Sequence, residues 1–217
     1  MIVEEIPTIE TLAIALWAMV VGYYIELFGY YLLLKWQKDK KPYQLILAVF
    51  FLMMALGRIF FLMYDFYSPN ELIWWRLGTL FQWLAITTVS IFITIFTFEK
   101  RLYQIAISLP PFIIAFVILA VPATEITLLR YVLGIFIAPI YVTLIPGLYF
   151  YLALVTSGQI RKSTFLQGLG FSVLYIGRIL HASLIQPLLW QPIALIVAPA
   201  IVMVALLLIV MGVQYLS

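Results

Sequence analysis

Leu56-Gly57-Arg58-Ile59-Phe60-Phe61 comes back 120 positions later as Ile176-Gly177-Arg178-Ile179-Leu180-His181. Both copies lie deep inside long apolar runs, where an arginine is costly and either marks function or finds a partner. Laid on Pro146–Ala182 at that offset without a gap, Glu26–Leu62 matches at Tyr31/Tyr151, Leu32/Leu152, Leu34/Leu154 and Phe51/Phe171. It matches again at Gly57/Gly177, Arg58/Arg178 and Ile59/Ile179. These identities stand against about three expected by chance from so biased a composition. The basic connector recurs too, Lys40-Lys41 aligning with Ile160-Arg161 beside Lys162.

Composition says where such a chain lives. Hydrophobic residues make up 66% of the 217, charged residues 10%, and the mean hydropathy is +1.16. A soluble domain carries about 25% charged residues. This chain cannot cover a water-facing surface, so it reads as an all-α integral membrane protein in contact with the lipid bilayer. The net charge of +3 is spread over short loops and does not point to nucleic acid. Without cysteine there is no disulfide, thiolate metal site or thiol nucleophile. Asn70 is the single asparagine, and scarcity of Cys and Asn together points to a thermophilic source. Glu4, Glu5 and Glu10 give the N-terminus the wrong charge for a cleavable signal, so the first apolar run is expected to stay as an anchor.

Seven apolar runs are long enough to cross a bilayer, near 11–34, 43–65, 72–97, 102–121, 127–155, 163–186 and 192–214. They do not alternate polar and apolar residues, and lipid cannot satisfy open backbone groups, so they are helices. Lys35, Lys38, Lys40, Lys41, Lys100, Arg101, Arg161 and Lys162 fall in the loops of one side. Arg76 and Arg130 lie on the other with most of the acids. The positive-inside rule then places the N-terminus outside and the C-terminus in the cytoplasm of a multi-pass cell-membrane protein. Trp36 at one boundary and Tyr67, Trp74, Trp75 and Trp190 at the other read as interfacial belts. The chain is one transmembrane domain: repeat 1 over about 8–98, a linker helix over about 102–121, repeat 2 over about 127–217. An odd linker helix leaves the two three-helix repeats parallel.

In this layout the chain resembles the transporter–opsin–receptor superfamily, which includes SWEET-type sugar transporters and microbial opsins. The resemblance covers nearly the whole chain as topology. It implies either a carrier or a sensory module. An opsin holds retinal through a lysine in its last helix; residues 193–213 contain none, which excludes a retinal photoreceptor.

The candidate site follows from the two arginines. Arg58 lies roughly 24 Å above the start of its helix, and Arg178 at the same height in helix 6. Arginine keeps its proton at any relevant pH, so each needs an anion, carbonyls or water. Glu26 leans outward and Arg58 inward on antiparallel helices, which brings them toward each other. Asp65, seven positions after Arg58 on the same face, is a second candidate. The equivalents in the second half are Pro146 and Ile185. Arg178 is therefore either tied to Glu26 across the halves or part of a ligand site. Tyr175, Arg178 and His181 form one stripe at three-residue spacing, with Ser172 just before. His181, the only histidine, makes neither a metal site nor a bis-His haem by itself, and reads as a core hydrogen bonder or a proton-sensitive contact. Gln82 is the polar residue of helix 3 expected to face a cavity, while Thr87, Thr88, Ser90, Tyr23, Tyr24 and Tyr30 read as interhelical glue. Pro110, Pro111, Pro139, Pro146 and Pro199 are expected to kink their helices.

No metalloprotease, nucleophile-elbow or paired-carboxylate motif occurs, so catalysis is not expected, nor is a cofactor. The expected function is a small transporter or solute-binding carrier, its site between helices 1, 2, 3 and 6. Arg58, Arg178, Glu26, His181, Tyr175, Gln82 and Asp65 would serve a small polar or anionic solute. Two other readings stay open: a receptor-like module signalling to a cytoplasmic partner protein, and an accessory or scaffold subunit.

Overall fold

The computed structural model describes residues 5–181 and 193–215, and among them all regular structure is helical. Helix α1 runs Glu5–Gly29 and continues as a π-helical stretch, Tyr30–Trp36, and a last turn, Gln37–Asp39. α2 is Pro42–Leu62 with a π-helical end, Met63–Tyr67; α3 is Leu72–Thr97 and α4 Arg101–Ala120. α5 is built from Ala123–Glu125, Ile126–Tyr131, the π-helical Val132–Ile137 and Ala138–Val155. α6 is Gly158–His181, and α7 starts as the π-helical Ile193–Val197 and continues through Ala198–Gln214.

Six of these rods are long and apolar enough to cross a membrane: Ile9–Asp39, Pro42–Tyr67, Leu72–Thr97, Arg101–Ala120, Ala123–Val155 and Leu195–Gln214. α6 has the length, but Arg161, Lys162, Gln167 and Arg178 interrupt its apolar character. Its expected last turn, 182–186, lies outside the described residues, as does Trp190. The outer surface is apolar, with Leu102 73% and Leu154 78% exposed, as contact with lipid requires.

The turns are short and their residues explain them. Pro42 opens α2, where its missing N–H costs nothing. Lys40 ends α1 in the left-handed region, at φ 55°, with its ammonium 4.4 Å from the Trp36 ring. Thr156 and Ser157 alone separate α5 from α6, and Gly158, at φ 63°, makes that tight reversal without strain. Arg161 and Lys162 therefore do not sit in a loop; they are exposed residues on the first turns of α6.

Two of the π-helical stretches have a cause in sequence. In a regular α-helix Pro139 and Pro199 would each clash with the carbonyl four residues back, Ile135 and Leu195, and each of those lies in a π-helical turn. The wider turn absorbs the ring. Pro110 and Pro111, by contrast, lie within an uninterrupted α-helix.

The chain forms two compact units, Trp17–Tyr131 and Met1–Leu16 with Val132–Ser217, whose division runs through α1 and α5. In the first, α2 packs along α3, α3 along α4, and the π-helical end of α1 against α2. Phe51, fully buried, stacks on Tyr31 at 5.7 Å. α4 buries one stripe, Ser108, Pro111, Ala115 and Ile118, and leaves the rest outside. In the second unit α6 packs against both α5 and α7, and Phe171, also fully buried, stacks on Tyr149 at 5.2 Å.

Small residues set the closest crossings. A methyl group built on Gly57 would lie 3.2 Å from the Gly78 carbonyl oxygen, 3.4 Å from the Gln82 nitrogen and 3.5 Å from Phe81 Cβ. One built on Gly177 would lie 3.2 Å from the Ala198 oxygen, 3.0 Å from Val202 and 3.1 Å from Ile201. Each of these α7 neighbours is the residue 120 positions after its α3 counterpart.

Candidate functional site

Arg58 is 2% exposed, and α1 and α2 together enclose it. The guanidinium carbon lies 3.5 Å from the centre of the Trp17 ring, itself buried on α1. One terminal nitrogen lies 3.4 Å from an Asp65 carboxylate oxygen. In a regular helix seven residues span roughly 10 Å, close to two turns, so the long arginine has to run toward the C-terminal end of its own helix. Asp65 leans back toward it and stands in the π-helical Met63–Tyr67, where the widened turn alters the ordinary register. The pair is thus assembled within α2, and Trp17 supplies a π-face that attracts the cation further.

Glu26 does not take part. It lies on an exposed face of α1, nine residues from Trp17, and among the described residues it pairs with no base. Its expected meeting with Arg58 assumed that Arg58 leans toward its own N-terminus; the guanidinium turns the other way, to Asp65. Gln82 is half-buried, its backbone nitrogen at the Gly57 crossing, one residue from Arg58.

On α6, Tyr175 is buried with its ring 6.5 Å from Phe171, while Arg178 and His181 are half-buried in the following turns. Tyr175 lies within electrostatic range of Arg178. Ser172 is turned inward on its own helix, donating to the Gly168 carbonyl at 2.9 Å. All nine acids of the chain lie at or before Glu125, whereas residues 126–217 carry Arg130, Arg161, Lys162 and Arg178. Arg178 thus stands in a stretch of four positive charges and no negative one. Ile185, the counterpart of Asp65, lies outside the described residues.

The hydroxyls of α3 are not interhelical glue. Thr87 donates to Trp83 at 2.9 Å and Thr88 to Leu84 at 2.8 Å, both carbonyls four residues back on the same helix. Ser90 is fully buried, and its hydroxyl has no hydrogen-bond partner among the described residues.

Sequence reasoning missed two arginine roles. Arg76 donates to the carbonyls of Leu119 at 2.9 Å and Val121 at 2.6 Å, satisfying open acceptors where α4 ends. Arg130 lies over the Trp75 ring at 4.4 Å and donates to the Tyr64 hydroxyl at 3.1 Å. Trp74 and Trp75, which read as a lipid belt from sequence, also make polar contacts: Trp75 carries Arg130 and Trp74 donates to Glu71 at 2.8 Å. The one available signal was Trp74-Trp75-Arg76, two aromatic faces beside a guanidinium at a helix start.

No family model, curated protein or solved structure matches the chain. The helices themselves define its class, a helical protein with six rods long and apolar enough to cross a membrane.

Proposed function

We propose that the chain is a small transporter or solute-binding carrier of the cell membrane, and that Arg178, with Tyr175 and His181, holds a small anionic or polar solute. The observation that carries this reading is the charge of the second half: four Lys/Arg and no Asp/Glu after Glu125, with two of the four, Arg130 and Arg178, half-buried. A half-buried cation on a helix that carries no acidic residue favours an anion. Arg58 is held by Asp65 and Trp17, which gives it a structural role. Glu26, exposed on α1, is the carboxylate available for coupling to protons.

Two parallel three-helix repeats, α1–α3 and α5–α7 joined by α4, are the frame of this proposal. The fixed offset that relates the Gly57 and Gly177 neighbourhoods supports it, as do Phe51 and Phe171, each fully buried and each stacked on a tyrosine. The stacked tyrosines, Tyr31 and Tyr149, are offset by 118 rather than 120 positions, and Tyr31 stands in a π-helical turn that has no counterpart at 150–156.

Purified protein in liposomes tests the carrier. Wild type should accumulate or exchange small anions under a concentration or proton gradient. Arg178→Met should lose that flux while keeping its melting temperature in detergent. Absence of flux for every anion and gradient tried, or undiminished flux in Arg178→Met, would sink the reading.

A further inference from the structure

We propose that Arg130, Trp75 and Tyr64 form a phosphate-binding site at one end of α2, α3 and α5, for the phosphate of an anionic lipid headgroup or for free phosphate. Arg130 belongs to the Ile126–Tyr131 segment of α5. Its guanidinium carbon is 4.4 Å from the Trp75 ring centre and 5.4 Å from that of Tyr64. One terminal nitrogen donates to the Tyr64 hydroxyl at 3.1 Å. The aromatic shelf fixes the plane of the fork while using a single one of its five donors. Among the described residues Arg130 makes no ion pair, and its Nε is buried with no acceptor.

The neighbouring charges leave this cation open. Arg76 is turned to the Leu119 and Val121 carbonyls. Asp65 pairs with Arg58, and Glu71 accepts from Trp74. Glu125 is exposed and, among the described residues, pairs with no base. A planar guanidinium held on a ring and short of a counter-charge matches the oxygens of a phosphate, to which it can donate two parallel hydrogen bonds. Its depth fits as well. Tyr64 stands four residues before Ser68 and Trp75 four after Glu71, so the shelf lies roughly 6 Å inside the helix ends, where Trp and Tyr meet headgroups.

The full chain, purified in detergent as wild type and Arg130→Gln, is offered phosphatidylglycerol, uncharged diacylglycerol with the same acyl chains, and inorganic phosphate. Bound lipid is counted by native mass spectrometry, and phosphate binding is followed by tryptophan emission. Wild type should retain phosphatidylglycerol over diacylglycerol by about tenfold, the worth of one or two charge-assisted hydrogen bonds, and Arg130→Gln should lose that preference. Inorganic phosphate that shifts the emission and displaces the lipid identifies a soluble phosphate site; a response to the lipid alone identifies a headgroup site. Equal retention of both lipids together with no response to phosphate overturns the proposal, and so does an undiminished preference in Arg130→Gln. Should that variant fail to fold, Arg130→Lys keeps the charge without the planar fork: its preference should fall several-fold, and no fall overturns the proposal.

Discussion

Arg58 and Arg178 have the same chemistry and the same sequence neighbours, yet Arg58 has a carboxylate within its own helix. A buried ion pair adds little compared with apolar residues, but breaking one leaves an uncompensated charge, at a cost of several kcal/mol. Asp65→Asn should therefore destabilise the protein by about 3 kcal/mol, the low end of the range for buried pairs because the Asp65 side chain keeps 25% of its surface exposed. Adding Arg58→Met to that variant removes the stranded cation and should recover most of the loss. Melting temperatures of the wild type and the two variants in one detergent check this. A double variant less stable than Asp65→Asn alone would mean that Arg58 is held chiefly by Trp17 rather than by its carboxylate.

At the scale of helices, closeness of approach is what the glycines decide. A methyl at Gly170 would stand 2.7 Å from Ile209 Cγ1 and 2.9 Å from its backbone nitrogen; one at Gly212 would stand 2.7 Å from Gln167 Cγ and 2.9 Å from the Ser163 oxygen. Backbone cannot step aside, so Gly170→Ala and Gly212→Ala should each cost about 1–3 kcal/mol through overpacking of α6 against α7. Gly57→Ala, at 3.2 Å or more from its neighbours, should cost less, and Gly22→Ala on α1, with open space around it, should be neutral or stabilising by up to about 1 kcal/mol. Thermal unfolding of the four variants gives the order; Gly22→Ala as the worst of them would mean that its face is covered in the folded protein. Helix existence was legible in sequence because apolar length alone specifies it: α3 begins and ends where its apolar run does, at 72 and 97. The start of α6 was not, since Arg161 and Lys162 look like loop residues, and only Gly158 with a positive φ shows how the turn could be so short. Asp65 was legible as a partner through its seven-residue spacing, whereas Trp17 was not, because nothing in a single sequence aligns α1 with α2. The Arg130 shelf joins three helices over 66 residues of chain, and no periodicity carries that information.

For the whole molecule, the asymmetry of charge bears on how it sits in a bilayer. Lys35, Lys38, Lys40 and Lys41 follow the α1 span, Lys100 and Arg101 follow α3, and Arg161 and Lys162 open α6 on exposed positions. On the intervening side only Arg76 and Arg130 lie near the turns, two basic residues against eight. If every rod crosses once, the three lysine- and arginine-rich ends share a side, and the positive-inside rule predicts that side to be cytoplasmic. The chain has no cysteine, so a single introduced thiol reports one position without background. Asn70→Cys lies in the exposed turn between α2 and α3, and Lys100→Cys in the exposed turn between α3 and α4. A membrane-impermeant maleimide should label Asn70→Cys on intact cells and Lys100→Cys only after permeabilisation. The reverse pattern would keep the crossing of α3 and invert the protein in the membrane. Labelling of both from outside would mean that α3 does not cross at all, since it is the only rod between them, and the alternation on which the parallel repeats depend would be lost with it.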